Sequence, residues 1–435
     1  MTMSELTLAQ ELSAMRRYYH RFPEPAWMEY QTTISIISRL QALGYEVKYG
    51  KAIHNPDCMM GQPKKDLAQA YAATIDQEVD FDIQEILAGY TGAVCELDTG
   101  RPGPSIAMRF DIDGLAIKES KSKKHLPNLY GFASKHKGYM HACGHDGHIT
   151  VGLYLAQWLK DHQDQLTGKY LLIFQPAEEG VKGGKSMVNT GLVDGYDYFL
   201  SGHIGMGAPA DSVTIGTDGF LATTKTDIQF SGLSAHAGAS PEKGHNAILA
   251  AASALLNLQT LPQYSTGAAR VNVGKIQGGS GRNIIANTCR LEMETRGSSS
   301  AINDHLNKRV KDMVAGAAMQ YQCKYQLQQV GEAPALNYRD EAFYQELHEV
   351  LDQEDIPNAI GFHFGASEDV VFFMNRVAEL GGKACFFLFG SELAKENGHH
   401  NSQFDFEESV LVTMVKTFTH LLMHFGQKQK EESHD

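Results

Sequence analysis

The chain's 435 residues exceed what one ordinary hydrophobic core supports, so length alone predicts two domains. With 43% hydrophobic and 20% charged residues the composition is that of a globular protein, and a net charge of −13 disfavours a nucleic-acid backbone as partner. No window approaches the ~18 uninterrupted apolar residues of a membrane span, and the first 25 residues, with Arg16, Arg17, His20 and Arg21, lack the apolar core of a secretory signal. The cysteines at 58, 95, 143, 289, 323 and 385 show no paired spacing and several fall in predicted strands, which predicts free thiols and a cytoplasmic setting.

Residues 6–18 and 30–43 carry helical apolar spacing, with Pro23 and Pro25 breaking between them. A short strand at 45–47 leads into residues 54–90, a polar stretch without a motif, read as an insertion packed near the catalytic domain. Residues 93–97 and 105–110 read as neighbouring buried strands. The second delivers Asp111 and Asp113 at its carboxyl end, where open α/β sheets place their ligands.

Next comes Met140-His141-Ala142-Cys143-Gly144-His145-Asp146-Gly147-His148, ahead of an apolar helical run to about His162. A thiolate and an imidazole two residues apart can grip one divalent ion or two adjacent ones. The positive end of the following helix is expected to favour the thiolate form of Cys143. The plain alternative is a His-rich surface loop with an incidental cysteine. An apolar strand at 170–174 ends in Gln175-Pro176-Ala177-Glu178-Glu179-Gly180. Adjacent carboxylates after a strand point in different directions, so one can ligate metal while the other faces the reacting centre; a solvated acidic turn is the alternative. A further strand at 196–200 is followed by His203.

From about Thr223 to Glu332 the pattern becomes strand (226–230), helix (245–261), strand (270–276), strand (288–295), helix (301–321) and strand (324–330). That βαββαβ order predicts a ferredoxin-like unit. The fold class is therefore α/β: a mixed-sheet main domain over 1–222 and 333–435, interrupted by an inserted domain over 223–332. The main domain resumes with a helix at 341–351, another after Gly365-Ala366-Ser367-Glu368-Asp369, a strand at 384–389, the polar loop Gly398-His399-His400-Asn401-Ser402, and an amphipathic helix at 407–425 before a loose charged tail after Gly426.

Collected, the candidate ligands are Cys143, His145, Glu179, His203 and His400, a set that suits two divalent ions better than one four-coordinate zinc. Two ions can polarise a carbonyl and activate water, Glu178 can move that water's proton to a leaving nitrogen, and Asp111 is expected to orient a ligating imidazole from behind.

Arg109-Phe110-Asp111-Ile112-Asp113, the His141–His148 motif, Gln175–Gly180 and His400-Asn401-Ser402-Gln403-Phe404 together resemble, over nearly the whole chain, the dinuclear metallopeptidases and amidohydrolases that include aminoacylases and carboxypeptidase G. The resemblance implies a zinc-peptidase-like fold. Cys143 takes the place of a bridging aspartate, with His145, Glu179, His203 and His400 as the other ligands and Glu178 as general base. Counting back from Phe404 selects His400 over His399. His141 and His148 are not carried over as ligands, and His54, His125 and His136 read as surface or structural. Gly232-Leu233-Ser234-Ala235-His236-Ala237-Gly238 resembles the family's lid signature, in which the histidine, here His236, reaches the active site of the other protomer. Asn283 and Arg296 resemble positions that bind a substrate carboxylate, although Arg296 equally suits a strand-end salt bridge; Ala286 departs from the proline of many members.

The non-catalytic segments, such as 54–90, 99–104 and 280–283, resemble most the branch that cleaves p-aminobenzoyl-glutamate. The expected activity is hydrolysis of an N-acyl or N-aroyl amino acid by two divalent ions, manganese or zinc, with cobalt or nickel also accepted by these donors. A homodimer through the lid domain, or a pairing with a related second chain, follows from the same resemblance. The competing readings are a general aminoacylase or small-peptide carboxypeptidase, a non-catalytic metal-binding member of a hetero-oligomer, and a thiol switch built on Cys143.

Overall fold

The computed structural model describes residues 3–427, so the tail from residue 428 on, read above as loose, lies outside the described residues. Its strands, in chain order, are β1 (Val47–Tyr49), β2 (Ala93–Asp98), β3 (Ser105–Asp111), β4 (Lys169–Gln175), β5 (Tyr198–Ile204), β6 (Val213–Asp218), β7 (Ala222–Ser231), β8 (Ala269–Gly278), β9 (Thr288–Gly297), β10 (Lys324–Ala333), β11 (Asn358–His363) and β12 (Lys383–Phe389). The described residues divide into two compact units. One gathers the chain up to Asp218, Tyr338–Phe364 and the chain from Phe372; the other gathers Gly219–Asn337 and Gly365–Val371.

The first unit is built on an eight-stranded mixed sheet in the order β1-β2-β4-β3-β5-β12-β6-β11. Its centre is parallel: β3 pairs in parallel with both β4 and β5, and β5 with β12. β1, β2 and β4 pair antiparallel, as do β12 and β6. The parallel strands are buried from their second residue on, as expected where a sheet is covered on both faces. In β4, Tyr170 to Phe174 are all buried. Four parallel strands put their carboxyl ends on one edge, and Asp111, Gln175 and His203 arrive there from β3, β4 and β5.

The helix His145–His162 packs against Met3–His20 and Ser409–Gln427. It also closes tightly on the sheet at Gly152, where a Cβ would meet ring atoms of Phe110 and Phe174 at 2.8 Å each.

Two strands escape sequence reading. β6 and β11 each contain a glycine at positive φ, Gly216 at 70° and Gly361 at 89°, which reads as turn punctuation. At Gly216 the reason is packing, since the Tyr344 ring lies 2.5 Å from where a Cβ would stand. The same ambiguity makes β5 look shorter in sequence than it is. Gly202 is a strand residue pressed against Phe387 and Phe389, so His203 belongs to the strand and not to a loop after it.

The 54–90 stretch contributes the turn Pro56–Cys58 and the helices Lys65–Ala72 and Gln84–Leu87. Named contacts anchor it: Trp27 Nε1 donates to Met60 O at 2.7 Å, and Tyr71 Oη donates to Glu24 Oε1 at 2.6 Å. His54 is buried between Ser186 and the Thr91 carbonyl, a structural histidine.

The second unit is a four-stranded antiparallel sheet, β10-β7-β9-β8, with the helices Ala247–Leu258 and Ser300–Gln320 packed on it in βαββαβ order. Both helices start on side-chain caps. Asn246 accepts from the Ile248 and Leu249 amides, and Ser299 from the Ile302 amide. Ile228, Phe230, Leu291, Leu306 and Val314 fill its core. Residues 365–371, read from the sequence with the catalytic domain, instead join this unit: the Leu221 amide donates to Ala366 O at 2.7 Å. Among the described residues no helix is long and apolar enough to cross a membrane.

Gly152→Val should lower the unfolding free energy by about 1–3 kcal/mol, because Phe110 and Phe174 cannot make room without leaving their own packing. Urea denaturation measures this; an unchanged midpoint would show that the rings have slack.

Candidate metal centre

Where β3 ends, its side chains divide the work. Both oxygens of Asp111 are occupied: Oδ2 accepts from Arg109 Nη1 at 2.7 Å, and Oδ1 lies 2.5 Å from His148 Nδ1. His148 Nε2 in turn accepts from the Ile204 amide at 3.1 Å, so this ring is a neutral strut with no nitrogen left for a metal. Two residues on, Asp113 receives the Glu178 amide at 3.1 Å and the Glu179 amide at 3.0 Å, one on each oxygen. Its carbonyl accepts from His145 Nδ1 at 2.9 Å.

The expected role of Asp111 therefore falls to Asp113. Asp111 Oδ1 sits 3.7 Å from His145 Nε2, on the ligating side of the ring, while Asp113 stands behind Nδ1. Asp111 is excluded from that task because Arg109 and His148 already hold it.

The same logic fixes the other imidazoles. His203 Nδ1 donates to Ile204 O at 2.7 Å, leaving Nε2 facing Cys143 Sγ at 3.4 Å. His399 donates Nε2–H to the same carbonyl at 3.0 Å and packs on Phe404, whereas His400 Nε2 lies 3.3 Å from Glu179 Oε1. His400 takes a left-handed φ of 60°, and its amide donates to Ala142 O at 2.8 Å, joining its loop to that of Cys143. Ala177, just before Glu178, is also left-handed at 55°, with its amide held by buried Glu29 Oε1 at 2.8 Å. Glu29 is 148 residues away in sequence, and no local signal marks it.

The five expected ligands form two groups that share one atom. Cys143, His145 and His203 bring their donor atoms within 4.8 Å of one another, and so do Cys143, Glu179 and His400. Glu178 Oε2 stands 4.0 Å from His145 Nε2.

The donor chemistry fits divalent cations. His145 Nε2 is buried without a hydrogen-bond partner, an arrangement that costs free energy unless something else satisfies it. Burial pushes the Cys143 thiol well above its usual range, and the charges of Glu179, Glu178 and Asp111 push it further. Burial disfavours the His145 imidazolium, yet Asp111 and Asp113 outweigh it and hold that ring up at about 10. This negative field overrides the helix-end effect expected to favour a thiolate. It also attracts a dication, which would displace the thiol proton.

In the second unit, His236 and Asn283 come together. The Ala237 amide donates to Asn283 O at 3.0 Å, and His236 pairs with Ile284 as an isolated bridge. His236 is exposed, and its Nδ1 accepts from the Gly238 and Ala239 amides at 3.1 and 3.0 Å, which leaves the proton on Nε2. Arg296 lies near the far end of β9, and its fork is taken by Glu294, Nε to Oε1 at 2.9 Å and Nη2 to Oε2 at 3.2 Å. The salt-bridge reading of Arg296 is the one seen. His125 meets Glu119 at 2.9 Å and His136 meets the Pro23 carbonyl at 2.9 Å, both structural.

Residues 107–424 match the model of peptidase family M20/M25/M40, and the chain belongs to that family. It is a metal-dependent hydrolase with a mixed α/β fold. The chain is 41% identical over 430 residues to one of the p-aminobenzoyl-glutamate hydrolase chains of Escherichia coli (strain K12), covering 96% of this chain and 97% of the relative. It is 40% identical over 429 residues, 96% of each, to the indole-3-acetyl-aspartic acid hydrolase of Enterobacter agglomerans. Among solved structures, the aminobenzoyl-glutamate utilization protein from Klebsiella pneumoniae superposes with a TM-score of 0.79 at 36% identity over 97% of both chains.

Asp113→Ala should weaken metal affinity about 10- to 100-fold, the usual cost of removing a group that orients a ligand. Chelator competition on the purified protein measures it. Wild-type affinity in the variant would return the supporting role to Asp111.

Proposed function

We propose that this centre holds two divalent ions, with Cys143 shared, His145 and His203 completing one set, and Glu179 and His400 the other. The substrate we infer is an aromatic acyl group joined through an amide to an acidic amino acid, p-aminobenzoyl-glutamate first. The observation that carries it is the 41% and 40% identity to two relatives whose names share both halves of that description. One is named for a p-aminobenzoyl group on glutamate, the other for an indole-3-acetyl group on aspartate.

Manganese or zinc suits the mixed thiolate, imidazole and carboxylate donors, and cobalt or nickel is tolerated by the same set. When bound, the ions supply Lewis-acid polarisation of the scissile carbonyl and make water acidic enough to attack. The chain's residues do the rest. Glu178, buried beside His145, takes the proton of the attacking water and delivers it to the leaving nitrogen. Asp113, through two amides, keeps the Glu178–Glu179 turn in register so that base and ligand keep their separate directions. The protonated Nε2 of His236 is a donor of the right kind for the oxyanion, and Asn283 beside it is suited to the substrate carboxylate.

The 223–332 segment serves in this reading as lid and dimerisation domain, in a homodimer or beside a related second chain. Support comes from apolar side chains on the helix Ala247–Leu258, where Leu249 is 47% and Leu256 70% exposed. The working compartment in this reading is the cytoplasm, in keeping with six free thiols.

Purified chain reloaded with manganese or zinc should release p-aminobenzoate from p-aminobenzoyl-glutamate, assayed beside indole-3-acetyl-aspartate and a panel of N-acetyl amino acids. Glu178→Gln should keep its metal and lose at least about 100-fold in kcat; turnover surviving that change would remove Glu178 as the base. Cleavage of the acetyl amino acids alone would leave the chemistry standing and sink the aromatic-acyl assignment. For the dimer, mixing His236→Ala with Glu178→Gln protein should restore part of the activity, since each mixed dimer rebuilds one intact site. No recovery after confirmed exchange of protomers would refute action across the dimer.

A further inference from the structure

We infer that Arg16 is a positioning residue that sets the spacing between the two ligand-bearing loops; the inference rests on the two-ion reading above. Arg16 belongs to the helix Met3–His20, is 1% exposed, and takes no part in the chemistry described. Its guanidinium lies 4.1 Å from the Phe406 ring centroid and 5.1 Å from that of Phe132. Nε donates to Asp146 Oδ2 at 2.9 Å, Nη2 to Asp405 Oδ1 at 2.5 Å, and Nη1 to Glu408 Oε1 at 3.2 Å.

Two of those carboxylates flank opposite halves of the centre. Asp146 directly follows His145 in the first turn of its helix, and Asp405 closes the loop that carries His400. His145 belongs to the first donor set and His400 to the second. One rigid, planar fork thus holds the two loops at a set distance, which a flexible ammonium could not do. His20 adds a second hold on Asp146, with Nδ1 2.8 Å from Oδ2, and reaches Glu119 through Nε2 at 3.1 Å. Sharing Cys143 between two ions tolerates only about 0.5 Å of error in the other ligands. Once Arg16 lets go, His400, 53% exposed on its loop, is the ligand able to drift, while His145 and His203 stay pinned by backbone carbonyls.

The test compares wild type with Arg16→Met, Arg16→Lys, Asp405→Asn and Arg17→Met, each stripped and titrated with manganese and with zinc. Arg17 is the control, since it pairs with Glu408 beside the same network. Bound ions per folded chain, affinity by chelator competition, and the melting temperature of the metal-free proteins are read separately. Wild type and Arg17→Met should bind two ions. Arg16→Met and Asp405→Asn should keep one and bind the second at least about 10-fold more weakly. Their activity should recover as metal is raised, and Arg16→Lys should fall between. Should Arg16→Met fail to fold, the nearly isosteric Asp405→Asn decides. Two ions held with wild-type affinity in the folded variants, whatever their melting temperature, would overturn the inference and leave the centre intact. A wild type that does not bind two ions would overturn the centre itself, and this inference with it.

Discussion

Asp113 is the constraint on which the centre depends. A buried carboxylate is costly unless its oxygens are satisfied, and here one receives the Glu178 amide and the other the Glu179 amide. The backbone of one strand end is thereby locked to the side chain of another, and the carbonyl of the same residue fixes His145. His145, Glu178 and Glu179 are all placed by a single residue. Around it the pattern repeats: Arg109 and His148 hold Asp111, and the Ile204 carbonyl receives both His203 and His399. His145, His148 and His203 are each oriented by a hydrogen bond at Nδ1.

The sheet makes this convergence possible. Parallel β3, β4, β5 and β12 bring their carboxyl ends to one edge, so residues 111, 178, 203 and 400 can meet although they are far apart in sequence. Close approach requires glycine at Gly152 and Gly202, where a side chain would collide with phenylalanine rings. The result is a cluster of carboxylates and a thiol whose negative field suits a divalent cation. Affinity at such a site resides in the fold, because folding has already desolvated the donors and set them facing one another.

Much of this was legible in one dimension. Local motifs carried the residues that meet here: Cys143 and His145 in one nonapeptide, Glu178 and Glu179 after an apolar strand, His400 just ahead of a buried Phe404. The βαββαβ order was readable because each element carried its own apolar pattern. β6 and β11 were not, since a glycine that serves packing against Tyr344 cannot be told in sequence from one that serves a turn. The Asp111 and Asp113 pair was visible, but not which of the two stands behind His145.

The sequence by itself determined which side chains are candidate donors and the order of elements over 223–332, because residue type, strand-end spacing and hydrophobic period are local properties. Tertiary structure alone decided the pairings: that His148 is a strut between Asp111 and Ile204, that His399 is spent on the Ile204 carbonyl, and that Arg16 joins Asp146 to Asp405. The physical reason is that a polar group's function follows from which partner occupies its other atom. For these buried groups the partner comes from a strand or helix tens to hundreds of residues away.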